Sequence, residues 1–239
     1  VNDDFRLQKC LPTLKYLLEN NAQVILCGHL DRPGGKAVRD LRMSPVVKKL
    51  EELLGVAIMY DPAAGETPEV RSARLGEALR RSTAETSGVK EAAGPIWLLE
   101  NLRFDSREEK NDEAFARELA SLADIYVNES FATCHREHAS VVGVPELLPA
   151  YAGLHLENEI ENLSSVKENP KRPLVFIIGG GKVETYAEAV IKLTEYADKI
   201  LLGGKLMFEE SLEDSPNVIF PVDAVDTFDI GPKSVELFK

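Results

Sequence analysis

Three short apolar runs in this chain each lead into a polar segment that carries cations. Val24 to Cys27 leads into Gly28, His29 and Arg32. Ile96 to Leu99 leads into Glu100, Asn101 and Arg103, and Ile125 to Val127 leads into Asn128, Glu129, His135 and Arg136. A guanidinium is a planar fork that matches phosphate and carboxylate oxygens, whereas an ammonium acts as a point charge. In open α/β sheets, ligands bind just beyond the carboxyl ends of the strands. Three strand ends supplying such donors imply one compact, highly anionic ligand, with phosphate and carboxylate groups together. A single surface arginine carries no such implication.

A second constellation follows the apolar run Leu174 to Ile178. Gly179-Gly180-Gly181-Lys182 closes that run and opens an amphipathic helix. Glycines let the backbone approach a phosphate, and a helix N-terminus favours its charge. The bland alternative is a plain strand-to-helix turn. The segment lacks the four-residue spacer and Lys-Ser/Thr pair of a P-loop, and it is not Gly-x-Gly-x-x-Gly. His135 and His138 do not form the His-Glu-x-x-His zinc pattern. Cys134 and His135 are sequence neighbours, so on an extended chain they point apart. Cys10 and Cys27 sit among apolar residues and are expected in the core.

The elements needed to position these residues follow from periodicity. Arg6 to Leu18 reads as a helix with Leu7, Cys10, Leu11, Leu14 and Leu18 on one face. Val24 to Cys27 reads as a buried strand. Ser44-Pro45 starts a second helix, with the stripe Val46, Val47, Leu50, Leu53 and Leu54. Strands are expected at Val56 to Tyr60, Ile96 to Leu99 and Ile125 to Val127, with a helix from Asn111 to Leu122. Residues 66–93 are charged and alanine-rich, with a helix expected around Val70 to Leu79. Leu156 to Lys167 reads as one connecting helix. After it, Leu174 to Ile178, a helix from Val183 to Ala197, and Ile200 to Leu202 restart the alternation. The whole reads as parallel sheets flanked by helices.

With 239 residues, the chain has room for one large domain or two small ones. Its 44% hydrophobic and 28% charged residues are those of a soluble globular protein. A net charge of −12 argues against general nucleic-acid binding, which needs a basic face. Three widely spaced cysteines give no disulfide framework, so a reducing cytoplasm is the default. No apolar run is long enough to span a membrane, and no signal peptide opens the chain.

The segments Gly28-His29-Leu30-Asp31-Arg32-Pro33, Leu98-Leu99-Glu100-Asn101-Leu102-Arg103-Phe104 and Val127 to Arg136 resemble the substrate-side motifs of phosphoglycerate kinases. The resemblance continues through Gly179 to Val183, Phe220-Pro221-Val222-Asp223 and Asp229 to Lys233. It implies an α/β fold of two parallel-sheet Rossmann-like lobes with a connecting helix, the second lobe incomplete. It implies a glycerate-binding lobe over 1–155, a linking helix over 156–171 and a partial nucleotide lobe over 172–239. It also implies that the chain starts after the family's first strand and stops before its last motifs.

By this resemblance Arg6, His29, Arg32, Arg103 and Arg136 hold 3-phosphoglycerate or 1,3-bisphosphoglycerate, and Arg6 and Lys182 face the migrating phosphoryl group. Gly180, Gly181, Lys182, Gly203, Gly204 and Lys205 border the nucleotide, ADP or ATP with Mg2+. The implied activity is reversible phosphoryl transfer in glycolysis by a cytoplasmic monomer, with closure about the connecting helix. Two departures stand out. Tyr186 occupies the place of a second phosphate-binding lysine, and Lys205 that of a glycine; Lys205 could restore the missing charge. The other reading is a non-catalytic binder or sensor of phosphorylated three-carbon acids. A Rossmann oxidoreductase is disfavoured by the absent fingerprint. Asp223 divides between a role near the nucleotide phosphates and plain turn chemistry.

Overall fold

A computed structural model describes residues 3–62, 96–226 and 228–239. The expected helix at Val70 to Leu79 lies outside them. The chain divides into two units, Val1–Ile160 and Glu161–Lys239.

In the first unit, helix α1 spans Phe5–Glu19 and strand β1 spans Val24–Leu26. Leu7, Cys10, Leu11, Leu14, Leu17 and Leu18 of α1 all turn to the core, as the 3.6-residue period requires. Helix α2, Ser44–Leu54, has Pro45 in its first turn and ends at Gly55. Gly55 takes φ 71° there and donates its N–H to Glu51 O, the left-handed stop that glycine permits. The residue before α2 is Met43, which caps through no side chain. Its N–H is instead satisfied by Glu100 Oε1 at 2.9 Å. Strand β2 covers Ile58–Asp61 and β3 covers Ile96–Leu99. Both β1 and β2 pair in parallel with β3, in the order β1-β3-β2.

Every residue of β3 is buried. Ile96 and Leu98 join the cluster of Leu14, Val46, Val47 and Leu50, whereas Trp97 and Leu99 join that of Phe115, Ala116, Ala139 and Val144. The strand's two-residue period thus feeds two cores, one on each face. Burying one such side chain fully stabilises by about 1.5–3 kcal/mol.

Helix α3 is Glu113–Ala120, shorter than the sequence suggests at its start. Asn111 takes φ 51° and cannot be helical, and Asp112 caps instead, accepting from Phe115 N at 3.0 Å. Strand β4, Tyr126–Asn128, pairs in parallel with β5, Ala150–Ala152, as a separate two-stranded sheet. Cys27 is exposed, contrary to the core placement that its apolar neighbours suggest. It sits just past the end of β1, which is itself an edge strand.

Helix α4, Leu154–Glu168, carries the boundary between the units. In the second unit, β6 (Val175–Ile178), β7 (Lys199–Leu202) and β8 (Val218–Ile219) form a parallel sheet in that order. Helix α5, Val183–Leu193, stops short of the Ala197 that periodicity suggests. Helix α6 is Pro232–Phe238. One face of the sheet packs around Val190, Ile200, Leu202, Leu206 and Leu212. On β6, Val175 and Ile177 are exposed, Ile177 by 80%. A doubly wound parallel sheet is normally covered on both faces, so this second lobe is incomplete. Among the described residues, no helix is long and apolar enough to cross a membrane.

Candidate anion site and glycine turns

The loops that follow β1 and β3 are stitched into one platform. Leu102 N donates to Gly28 O at 3.0 Å, and Gly35 N donates to Arg103 O at 3.1 Å. Gly35 has φ 77°, and a Cβ there would lie 2.6 Å from Ser106 Cβ, so no other residue fits. Asn101 fills the space between the loops. Its Nδ2 donates to Leu30 O at 2.9 Å and Leu41 O at 3.0 Å, while its Oδ1 accepts from Arg103 N. Beneath it, the buried Glu100 carboxylate accepts from Met43 N, Asn101 N, Tyr60 OH and Arg42 Nη1. Four donors satisfy a buried charge that would otherwise be costly.

Arg103 rises from this platform and is 3% exposed. Its Nη1 donates to Asp31 O at 2.7 Å, and its Nε lies 3.4 Å from Glu109 Oε1. Neither its Nε nor its Nη2 has a hydrogen-bond partner, and Arg136 Nε is also buried without one. Buried, unpaired guanidinium donors are expensive in isolation and become favourable when an oxyanion accepts from them.

The charges converge. His29 is pushed down from 6.5 to about 4, first by burial, then by Arg103, Arg136, His138 and Arg6. Burial also lowers Arg103, helped by Arg136 and Arg32 and opposed by Glu109 and Glu108. Arg6, His29, Arg32, Arg103 and Arg136 therefore lie within electrostatic reach of one centre, Arg6 and Arg32 as exposed members.

Two further members escape a reading of the sequence. His138 is buried, and its Nδ1 stands 3.8 Å from Glu108 Oε1. Glu108 is 3% exposed and accepts from Ser140 Oγ at 2.5 Å and Ser140 N at 3.1 Å. Burial raises the Glu108 carboxyl, while these hydrogen bonds and Arg103 oppose the rise. The spacing of His135 and His138 suggests only a weak metal pair, whereas His138 belongs with the cations.

The sign of the His29 effect is testable. Its folded value lies below its ordinary one, so between pH 6.5 and about 4 the unfolded chain binds more protons. Stability therefore falls as pH drops through that window. An anion at this centre offsets the surrounding cations and draws a proton onto His29, so ligand binding is accompanied by proton uptake. Calorimetry in buffers of different ionisation heat at pH 5.5 should show more uptake in the wild type than in His29→Asn. Equal uptake would remove His29 from the centre.

In the second unit, two turns interlock. Gly203 N donates to Ile178 O at 2.9 Å and Lys205 N donates to Gly180 O at 3.0 Å. Gly204 has φ 58°, and a Cβ on it would come 2.6 Å from Gly180 N. Lys182 is exposed at the start of α5, beside Gly181. The Tyr186 ring lies against Gly180, where a Cβ would come 2.7 Å from Cε2. Lys205 Nζ sits 5.2 Å from the Phe228 ring centroid, in cation–π contact. Asp223 holds the start of α6, accepting from Ser234 N and Oγ, both at 2.6 Å, and from Lys233 N at 3.0 Å. The Ser234 hydroxyl leads in lowering its carboxyl. Capping accounts for these contacts. Among the described residues, no group of three or more His, Cys, Asp or Glu could hold a metal ion.

Comparison with known proteins gives a consistent result. The sequence model of the phosphoglycerate kinase family matches residues 1–211. A phosphoglycerate kinase of Roseiflexus castenholzii is 43% identical over 204 residues, covering 85% of this chain and 48% of that protein. One from Thermosipho africanus is 35% identical over 290 residues, covering 100% of this chain and 68% of that protein. The structure of phosphoglycerate kinase from Coxiella burnetii is similar with a TM-score of 0.72 at 27% identity, over 99% of this chain and 68% of that one. The chain thus spans from about half to two thirds of these proteins' lengths.

Proposed function

Because the chain belongs to the phosphoglycerate kinase family, we propose that it carries the family's phosphoryl transfer between 1,3-bisphosphoglycerate and ADP, giving 3-phosphoglycerate and ATP. Residues 1–155 would hold the glycerate ligand, 156–171 would link, and 172–239 would form part of the nucleotide lobe. The observation that carries this reading is the buried cluster of Arg103, Arg136 and His29, with guanidinium donors left unpaired. That is a site built for an oxyanion.

In this reading Arg103, Arg136, Arg32 and His29 hold the phosphate and carboxylate of the glycerate. Arg6, exposed at the start of α1, stands where the migrating group and its acceptor would meet it. Lys182 would neutralise that group from the other side, at a helix start that favours negative charge. The transition state is loose, with charge on equatorial oxygens, so fixed cations stabilise it more than they stabilise the substrate. Magnesium would arrive with the nucleotide, held mainly by phosphate oxygens and water. The reading also places the protein in the cytoplasm as a monomer.

The first test is ligand-linked stability. At 3-phosphoglycerate a hundredfold above its dissociation constant, the first unit should gain about 2.7 kcal/mol by mass action, seen as a raised melting temperature. An unmoved melting temperature, with no heat of binding in calorimetry, would sink the assignment.

A further inference from the structure

A cavity of about 540 Å³ opens in the first unit and is lined by none of the arginines or histidines of the anion site. One wall is Val24 to Cys27 at β1, and the opposite wall is Asp124 to Val127 at β4. The α1 residues Leu14 and Leu17 line it, as do Leu119 and Leu122 of α3 and the loop that follows. Among the described residues β1 pairs only with β3, and β4 only with β5, so each has one unpaired edge. Two open strand edges flanking an apolar space between helices are the surroundings of a buried strand in a parallel sheet.

Glu129 supplies a second, independent observation. It also lines the cavity. Its Oε1 accepts from Thr13 Oγ1 at 2.7 Å and His155 N at 3.3 Å, but its Oε2 is buried with no partner. A buried carboxylate oxygen without a donor is costly, so the missing donor belongs to whatever fills the space.

We propose that this cavity is a strand-acceptor slot. It takes one extended segment of the same polypeptide, placed ahead of Val1, which links β1 and β4 into one sheet and donates a hydrogen bond to Glu129. The topology favours that source. α1 returns to the start of β1 through the short connection Asn20 to Gln23, so it runs against β1. A segment ending beside the start of α1 would lie parallel to β1, the right-handed strand–helix–strand arrangement. The matched relatives are long enough to supply it, since this chain covers 48% of one of them.

The test uses the unaltered chain and a synthetic eight-residue peptide of alternating valine and threonine with one central arginine. Saturable one-to-one binding is expected, with amide exchange at Ile25 and Val127 slowed by about tenfold. The same peptide N-methylated at alternate residues keeps its side chains but loses ladder donors, and should bind roughly tenfold more weakly. Replacing its arginine by norleucine should weaken binding to the wild type but not to Glu129→Ala. Fused ahead of Val1 through a short glycine–serine linker, the peptide should raise the melting temperature and abolish binding of free peptide. Equal affinity of the N-methylated form would reduce the slot to an apolar patch. Absence of binding, or self-association of the chain that protects the same amides, would overturn the proposal. None of these readings depends on glycerate binding.

Discussion

Arg103→Lys keeps the charge yet weakens 3-phosphoglycerate binding by about 1–3 kcal/mol, roughly five- to 150-fold. The guanidinium is 3% exposed, and one of its nitrogens is already committed to Asp31 O at 2.7 Å. Its Nε and Nη2 remain to face an oxyanion as a planar pair. Lysine can reach either the carbonyl or the ligand, and it cannot present two parallel donors. Arg136→Ala should lose binding altogether at accessible concentrations, because it removes a converging cation as well as its donors. Calorimetry measures both, and a melting curve without ligand reports on the fold. Wild-type affinity in Arg103→Lys would make Arg103 a structural residue that braces the Asp31 loop.

The parts of this site that depend on strand ends could be read from the sequence. Short apolar runs closed by polar segments fix where a parallel sheet delivers its side chains, so His29, Arg103 and Arg136 were identifiable by position. Glu108 and His138 were not. They meet because Ala139 N donates to Glu108 O at 2.9 Å and Ser140 turns back onto the carboxylate. No spacing rule encodes that contact, which joins residues on separate loops. The misplacement of Cys27 has a related cause. An apolar run shows that a strand suits burial but not whether neighbours cover both edges, and β1 has one edge open. Asn111 failed as a helix start for a local reason, since asparagine tolerates φ 51° while Asp112 is the better cap.

The nucleotide side gives the last large effect. The chain as it stands should bind Mg-ADP weakly, and Tyr186→Lys should tighten that binding by about tenfold or more. The Tyr186 ring lies against Gly180, the glycine of the turn that a phosphate would approach. Lysine at this place would remove the ring and add a cation at the second turn position of α5, where an ammonium gains about 1.5–3 kcal/mol from a charged hydrogen bond to phosphate. Lys205 does not supply that charge from its present place, because its ammonium is turned to the Phe228 ring at 5.2 Å. Phe228→Ala should release it, giving a smaller gain that adds to the first. Fluorescent-nucleotide titration with and without Mg2+ separates the two contributions. Ordinary affinity in the unaltered chain, or ATP formed from 1,3-bisphosphoglycerate and ADP at about 10 per second, would show that another cation already serves the nucleotide. Glycerate binding with no nucleotide affinity in either variant would instead favour a binder of phosphorylated three-carbon acids over a kinase.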